Sequence, residues 1–182
     1  MKFIPVLIAA AFFVAPSPVL RAEDETIKVS EFTFSYDKPW VRQQVASSMR
    51  AGQFLYEHSE EGLENVELVI FFFGAGGGGG VQANIDRWLG QFEGTPESKT
   101  EEREMGDRKV VFLTAKGTYM ETMAGAGPFS GAPKTAKPDY TMLAAILPSE
   151  QGDVFIKVTG PTKSVDAMKD AYEAFVASPF AK

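Results

Sequence analysis

The sequence predicts an α+β domain in which a mainly antiparallel sheet is covered by two helices. Three observations carry that expectation. "VELVIFFF", Val66 to Phe73, is an almost unbroken β-branched and aromatic run, the pattern of a central strand buried on both faces. Two other stretches, from Val81 and from Ser164, space their apolar residues as one face of a helix. The second half of the chain holds two pairs of strand-like segments joined by short polar turns. The chain has 182 residues, 45% hydrophobic and 23% charged, which is ordinary globular composition.

The first 22 residues read as an export segment. Lys2 precedes an apolar run from Phe3 to Val14, then Pro16, Pro18 and Leu20-Arg21-Ala22 lead to the acidic Glu23-Asp24. A dozen apolar residues fall short of the ~20 that span a bilayer, so no permanent span is expected. Cleavage after Ala22 is the expectation, with Ala15 the alternative. Residues 23–182 then form a single domain, in a periplasmic or secreted location. Removing Lys2 and Arg21 from the 18 basic residues leaves 16 against 24 acidic ones, a formal charge of −8. That surface is a poor match for nucleic acid or anionic lipid. The absence of cysteine excludes disulfides, thiol nucleophiles and thiolate metal sites.

Ile27, Val29, Phe32, Phe34 and Tyr36 alternate with polar residues except at Ser30-Glu31, which predicts one strand with a bulge. Trp40 to Ser48 carries little pattern, and Met49 to Glu57 reads as a strand. After Val66 to Phe73 comes "GAGGGGG", Gly74 to Gly80, and then a helix burying Val81, Ile85, Trp88, Leu89 and Phe92. Ser98 to Met105 and Arg108 to Tyr119 form a hairpin about Gly106-Asp107, its first strand too polar for anything but an edge. Glu121 to Pro138 is rich in Gly and Pro, and no regular element is expected there. Tyr140 to Leu147 and Val154 to Thr159 make a second hairpin, stopped by Gly160-Pro161. The last helix starts with Ser164 as N-cap and buries Val165, Met168, Ala171, Tyr172, Phe175 and Val176.

Few groups point to chemistry. Gly74-x-Gly76-x-x-Gly79 matches a dinucleotide fingerprint, but a match is nearly automatic in such a run, and no second parallel strand with its acid follows the helix. His58, the only histidine, lies among Glu57, Glu60, Glu61 and Glu64 and reads as solvated. Met105, Met120, Met123 and Met142 lack the histidine or cysteine support of a soft-metal site. No GxSxG accompanies any serine. No catalytic residue, cofactor or metal is therefore expected. Candidate partner-binding residues are Gly76, Gly77, Gly78, Gly79, Gly80, Asn84 and Arg87 around the first glycine-rich loop, with Pro128 and Lys134 in the second. Two readings stay open. One is a non-catalytic binding or accessory module of the cell envelope, whose partner is an envelope protein or a small ligand. The other is an envelope hydrolase whose carboxylates, among Asp86, Glu93, Glu101, Glu102 and Asp139, meet only in the fold.

Three segments, "VELVIFFFGAGGGGGVQANIDRWLGQF", "GPFSGAPKTAKPDYTMLAAI" and "VFIKVTGPTKSVDAMKDAYEAFV", resemble a family of uncharacterised exported bacterial proteins. In these a hydrophobic strand, a glycine-rich turn, an Asn-Ile-x-Arg-Trp helix and a closing Thr-Gly-Pro helix recur. The layout is more distantly similar to PsbP-like domains. That likeness implies an antiparallel sheet between helices, in lumenal or exported accessory proteins, and assigns no site residue.

Overall fold

The computed structural model describes residues 25–122 and 133–181. The export segment before residue 23 and Pro128 lie outside them. Seven strands form one antiparallel sheet in the order β3-β4-β5-β9-β8-β7-β6: β3 Trp40–Arg42, β4 Arg50–Tyr56, β5 Val66–Phe72, β6 Glu97–Met105, β7 Arg108–Thr122, β8 Lys134–Leu147 and β9 Val154–Pro161. A separate hairpin, β1 Glu25–Val29 with β2 Phe32–Tyr36, packs on one face. Helix α1, Val81–Leu89, covers part of the other.

Both faces are apolar because both are covered. Leu68, Ile70, Val110, Phe112, Leu143, Ala145, Val154, Ile156 and Val158 meet β1, β2 and the C-terminal helices on one side. Val111, Leu113, Ala115, Met142, Ala144, Ile146 and Phe155 meet Ile85, Trp88 and Phe92 on the other. This explains the unbroken burial from Thr141 to Leu147, which alternation on a one-sided sheet would not produce. Phe175 ties the first layer together, with its ring 5.3 Å from Phe34, 5.2 Å from Phe54 and 5.6 Å from Trp40.

Several expectations change. The slip at Ser30-Glu31 is a two-residue turn, with Ser30 at φ 55°, and the single bulged strand is a hairpin. The turn resets the side-chain parity, so Ile27, Val29, Phe32, Phe34 and Tyr36 still share one buried face. β5 is interior, but the middle position belongs to β9, whose Lys157 breaks the apolar run that would have marked it. Burial in β5 is complete only through Ile70; Phe71 and Phe72 are half-buried and Phe73 is exposed. The damaging position for a charge is therefore Ile70 rather than Phe71 or Phe72.

Gly160 and Pro161 end β9 rather than following it, and the last helix starts earlier, at Thr162. It breaks at Met168 into α2, Thr162–Ala167, and α3, Lys169–Ala177. Ser164 is buried inside α2, where its hydroxyl accepts from the Glu64 N–H at 2.9 Å, so it ties a loop and caps no helix. Part of the second glycine-rich stretch is strand: Glu121 and Thr122 pair with Thr135 and Lys134. The edge position of β6 is as expected.

Candidate functional site

Beyond β5 the chain enters α1 through Gly74 to Gly80, and α1 itself fixes that loop. Asn84, 3% exposed, donates its two amide hydrogens to the Gly78 carbonyl at 2.9 Å and the Gly80 carbonyl at 3.0 Å. Its Oδ1 accepts from Arg87 Nη1 at 2.7 Å. The Gly77 N–H closes a turn onto the Gly74 carbonyl at 3.1 Å. Glycine is required sterically at Gly78, where a Cβ would enter the Phe155 ring. The same holds at Gly152, at φ 112°, where a Cβ would strike the Gly74 carbonyl. The loop is thus a built element rather than a loose connector.

Gly152 belongs to the β8–β9 turn, which meets the glycine loop because Phe72 pairs with Val154 and Val154 with Leu147. Between them lies an open cleft of about 190 Å³ lined by backbone of Gly74, Ala75, Gly76, Gly78, Gly79 and Gly152 together with Ser149, Glu150 and Asp153. Its only ionisable lining groups are Glu150 and Asp153, so it suits hydrogen-bond donors and cations and opposes a pyrophosphate. The turn is held from behind. Arg108 donates to the Pro148 carbonyl at 2.6 Å and makes a two-point pair with Glu31, 3.0 Å at each contact. The Ser149 hydroxyl and then Arg108 hold the Glu31 carboxyl below its usual range. Beside the loop Phe73 stays 44% exposed, with its ring 6.2 Å from Phe71 and 6.1 Å from Phe155.

The sequence-predicted residues divide. Gly76 to Gly80, Asn84 and Arg87 come together, although Asn84 and Arg87 act as the latch of the loop rather than as contacts reaching outward. Lys134 does not join them. It pairs with Thr122 and lies thirteen residues before Leu147 along β8, about 43 Å away at ~3.3 Å per residue. Pro128 is outside the described residues.

His58 is half-buried rather than solvated, edge-on to Tyr56 at 4.8 Å, with Nε2 lacking a hydrogen-bond partner. Met105 and Met142 belong to opposite faces of the sheet, and Met123 lies outside the described residues. The carboxylates of the hydrolase reading scatter as well. Asp86 bonds Gln82 on α1, Glu101 pairs with Lys99 and Arg103 on β6, and Asp139 sits on β8 at φ 55°. Among the described residues no three His, Asp or Glu side chains are gathered to hold a metal ion. None of their helices is long and apolar enough to cross a membrane.

A second polar group of residues has no sequence signature, because six separate segments supply it. On the α1 face of β9, Lys157 donates to Gln91 Oε1 at 3.0 Å, and the same oxygen accepts from the Tyr119 hydroxyl at 3.1 Å. The Tyr119 ring stacks on Tyr140 at 6.2 Å. Across the sheet Glu67 accepts from Arg50 at 3.1 Å and Gln53 at 2.6 Å. The Thr159 hydroxyl oxygen is buried without a partner. Burial, reinforced by the Arg50 cation and opposed by Glu67, lowers the Lys157 ammonium to about 8. Burial also raises the Tyr119 phenol.

No protein-family model matches the chain, and no curated protein matches it. Two solved structures are similar in outline. One is the solution structure of cyanobacterial PsbP (CyanoP) from Synechocystis sp. PCC 6803, at a TM-score of 0.49 and 15% identity, covering 90% of this chain and 95% of that one. The other is PA94 from Pseudomonas aeruginosa, a protein of unknown function described as a putative regulator. It gives a TM-score of 0.46 and 10% identity over 88% of this chain and 99% of that one.

Proposed function

We propose that this chain is an exported, non-catalytic binding module of the cell envelope, presenting the cleft between the glycine loop and the β8–β9 turn to its partner. The observation that carries this reading is the latch. Asn84 holds the loop in one shape before any partner arrives, which lowers the ordering cost of binding. The partner is an envelope protein segment or small ligand offering cationic or N–H groups to Glu150, Asp153 and the loop carbonyls, with Phe73 as the aromatic anchor. Export rests on the layout of residues 1–22.

The test is affinity capture from the host's own envelope extract, comparing the wild type with Phe73→Ala and with Glu150→Lys/Asp153→Lys. These positions are exposed or line the open cleft, so the variants keep the fold. The partner captured by the wild type should be lost from both. Equal recovery by all three overturns the assignment of the site. N-terminal sequencing of the native protein checks export separately, and an intact Met1 on cytoplasmic material contradicts it.

A further inference from the structure

The polar cluster around Lys157 plays no part in that reading, and its chemistry is different. We propose that it binds a small organic monocarboxylate, whose carboxylate meets the Lys157 ammonium and whose organic part lies against the Tyr119–Tyr140 pair. The donors come first. An ammonium carries three N–H donors, and Lys157 spends one on the neutral Gln91 amide oxygen. Among the described residues no carboxylate pairs with it. The acid nearest in register, Glu67, two residues from the cross-strand partner Val69, is committed to Arg50 and Gln53. On the same face of β9, about 6.6 Å along at ~3.3 Å per residue, the Thr159 hydroxyl also lacks a partner. A buried hydroxyl without a partner is costly, and an acceptor-only ligand with two oxygens satisfies it while meeting the ammonium.

The charge count selects the valence. Beside the ammonium itself Arg50 and Lys157 against Glu67 leave one net positive charge, and Glu64 and Glu121 act on the tyrosine pair, so one carboxylate is matched and a phosphate dianion overshoots. The organic part follows from the aromatic pair. Tyr119 and Tyr140 stack almost parallel, 5° apart, and the Lys157 ammonium lies 5.9 Å from the Tyr119 ring centre, so an organic group held at the ammonium meets that pair. The charged and titratable groups around Lys157 are Arg50 from β4, Glu67 from β5, Tyr119 from β7 and Tyr140 from β8, with Glu121 from β7, Lys137 from β8 and Glu64 acting on the two tyrosines. Burial keeps both phenols neutral into the alkaline range. Loss of the Lys157 proton near pH 8 therefore removes the binding charge.

Sodium benzoate and sodium acetate, titrated at constant ionic strength and followed by NMR and calorimetry, test this with the purified chain. Saturable benzoate binding at pH 7 is expected, with amide shifts centred on Lys157, Thr159 and Tyr119. The affinity should fall about fivefold from pH 8 to pH 9, where a proton is taken up on binding. Lys157→Met should weaken binding at least tenfold with the fold intact by circular dichroism. Lys157→Arg should bind with no pH dependence between 7 and 9, a result that a purely structural lysine would not give. The proposal is overturned if neither probe binds at 10 mM, if Lys157→Met binds as the wild type does, or if inorganic phosphate displaces benzoate at equal concentration. Each outcome leaves the cleft assignment untouched, because Phe73→Ala and the Glu150 and Asp153 reversals are read in a separate capture.

Discussion

Replacing Asn84 by alanine probes the latch most cleanly. The change removes donors to the Gly78 and Gly80 carbonyls and the acceptor for Arg87. Each neutral hydrogen bond contributes ~0.5–1.5 kcal/mol net, and the bond to the exposed Arg87 guanidinium falls at the low end through solvent screening. Gly80 is exposed, so water recovers part of its loss. The expected cost is about 1.5–3 kcal/mol, or roughly 3–12 °C in Tm for a domain of this size. Alanine is the better helix former, so intrinsic propensity works against the effect and cannot imitate it. The assay is hydrogen exchange by mass spectrometry, read at Gly77 and Asn84, whose N–H groups bond the Gly74 and Gly80 carbonyls. Exchange across residues 74–84 should accelerate on the order of 10- to 100-fold, with that in β8 and β9 much less affected. Unchanged exchange and Tm would refute the claim that Asn84 shapes the loop.

Gly78→Ala forces a Cβ into the Phe155 ring and should cost about 1–3 kcal/mol by denaturant unfolding, with a matching loss of partner affinity. Ile70→Asp, fully buried between β4 and β9, should abolish cooperative melting, because an unpaired buried charge consumes much of a ~5–15 kcal/mol total. Phe72→Asp, half-buried at the end of β5, should still fold. Lys157 makes stability depend on pH with a known sign. Its folded value of about 8 lies below the ordinary 10.5, so the unfolded chain binds more protons in between. Chemical-denaturation stability should therefore rise from pH 8 towards pH 10, by up to about 1.4 kcal/mol per unit from this group, and Lys157→Met should flatten that rise.

Local pattern was enough to read the α+β class, β4, the polar edge β6, both hairpins of the β6–β9 meander and the buried face of α1 from the sequence alone. Each depends on neighbours within a few residues. What local pattern misses depends on tertiary cover. β9 holds the middle of the sheet with a lysine in it, whose ammonium donates to Gln91, 66 residues away along the chain. The β1–β2 turn looked like a bulge, because a two-residue turn and a one-residue bulge disturb alternation alike. The helix break at Met168 leaves no glycine or proline to betray it. In the candidate site Asn84 was readable as facing the glycine run, being four residues beyond Gly80, whereas the need for glycine at Gly78 becomes visible only once Phe155 is placed beneath it. The Lys157 cluster draws on β4, β5, the α1–β6 connection, β7, β8 and β9, and no spacing along the chain encodes it.

Hydrogen exchange on the wild-type protein, with and without its captured envelope partner, tests the central claim most directly. The binding-module account predicts slowed exchange in both Gly74 to Gly80 and Ser149 to Asp153, the two walls of the cleft, with the edge strand unaffected. Protection confined to Glu97 to Met105 would instead mean recognition by strand addition at β6 and would contradict the account.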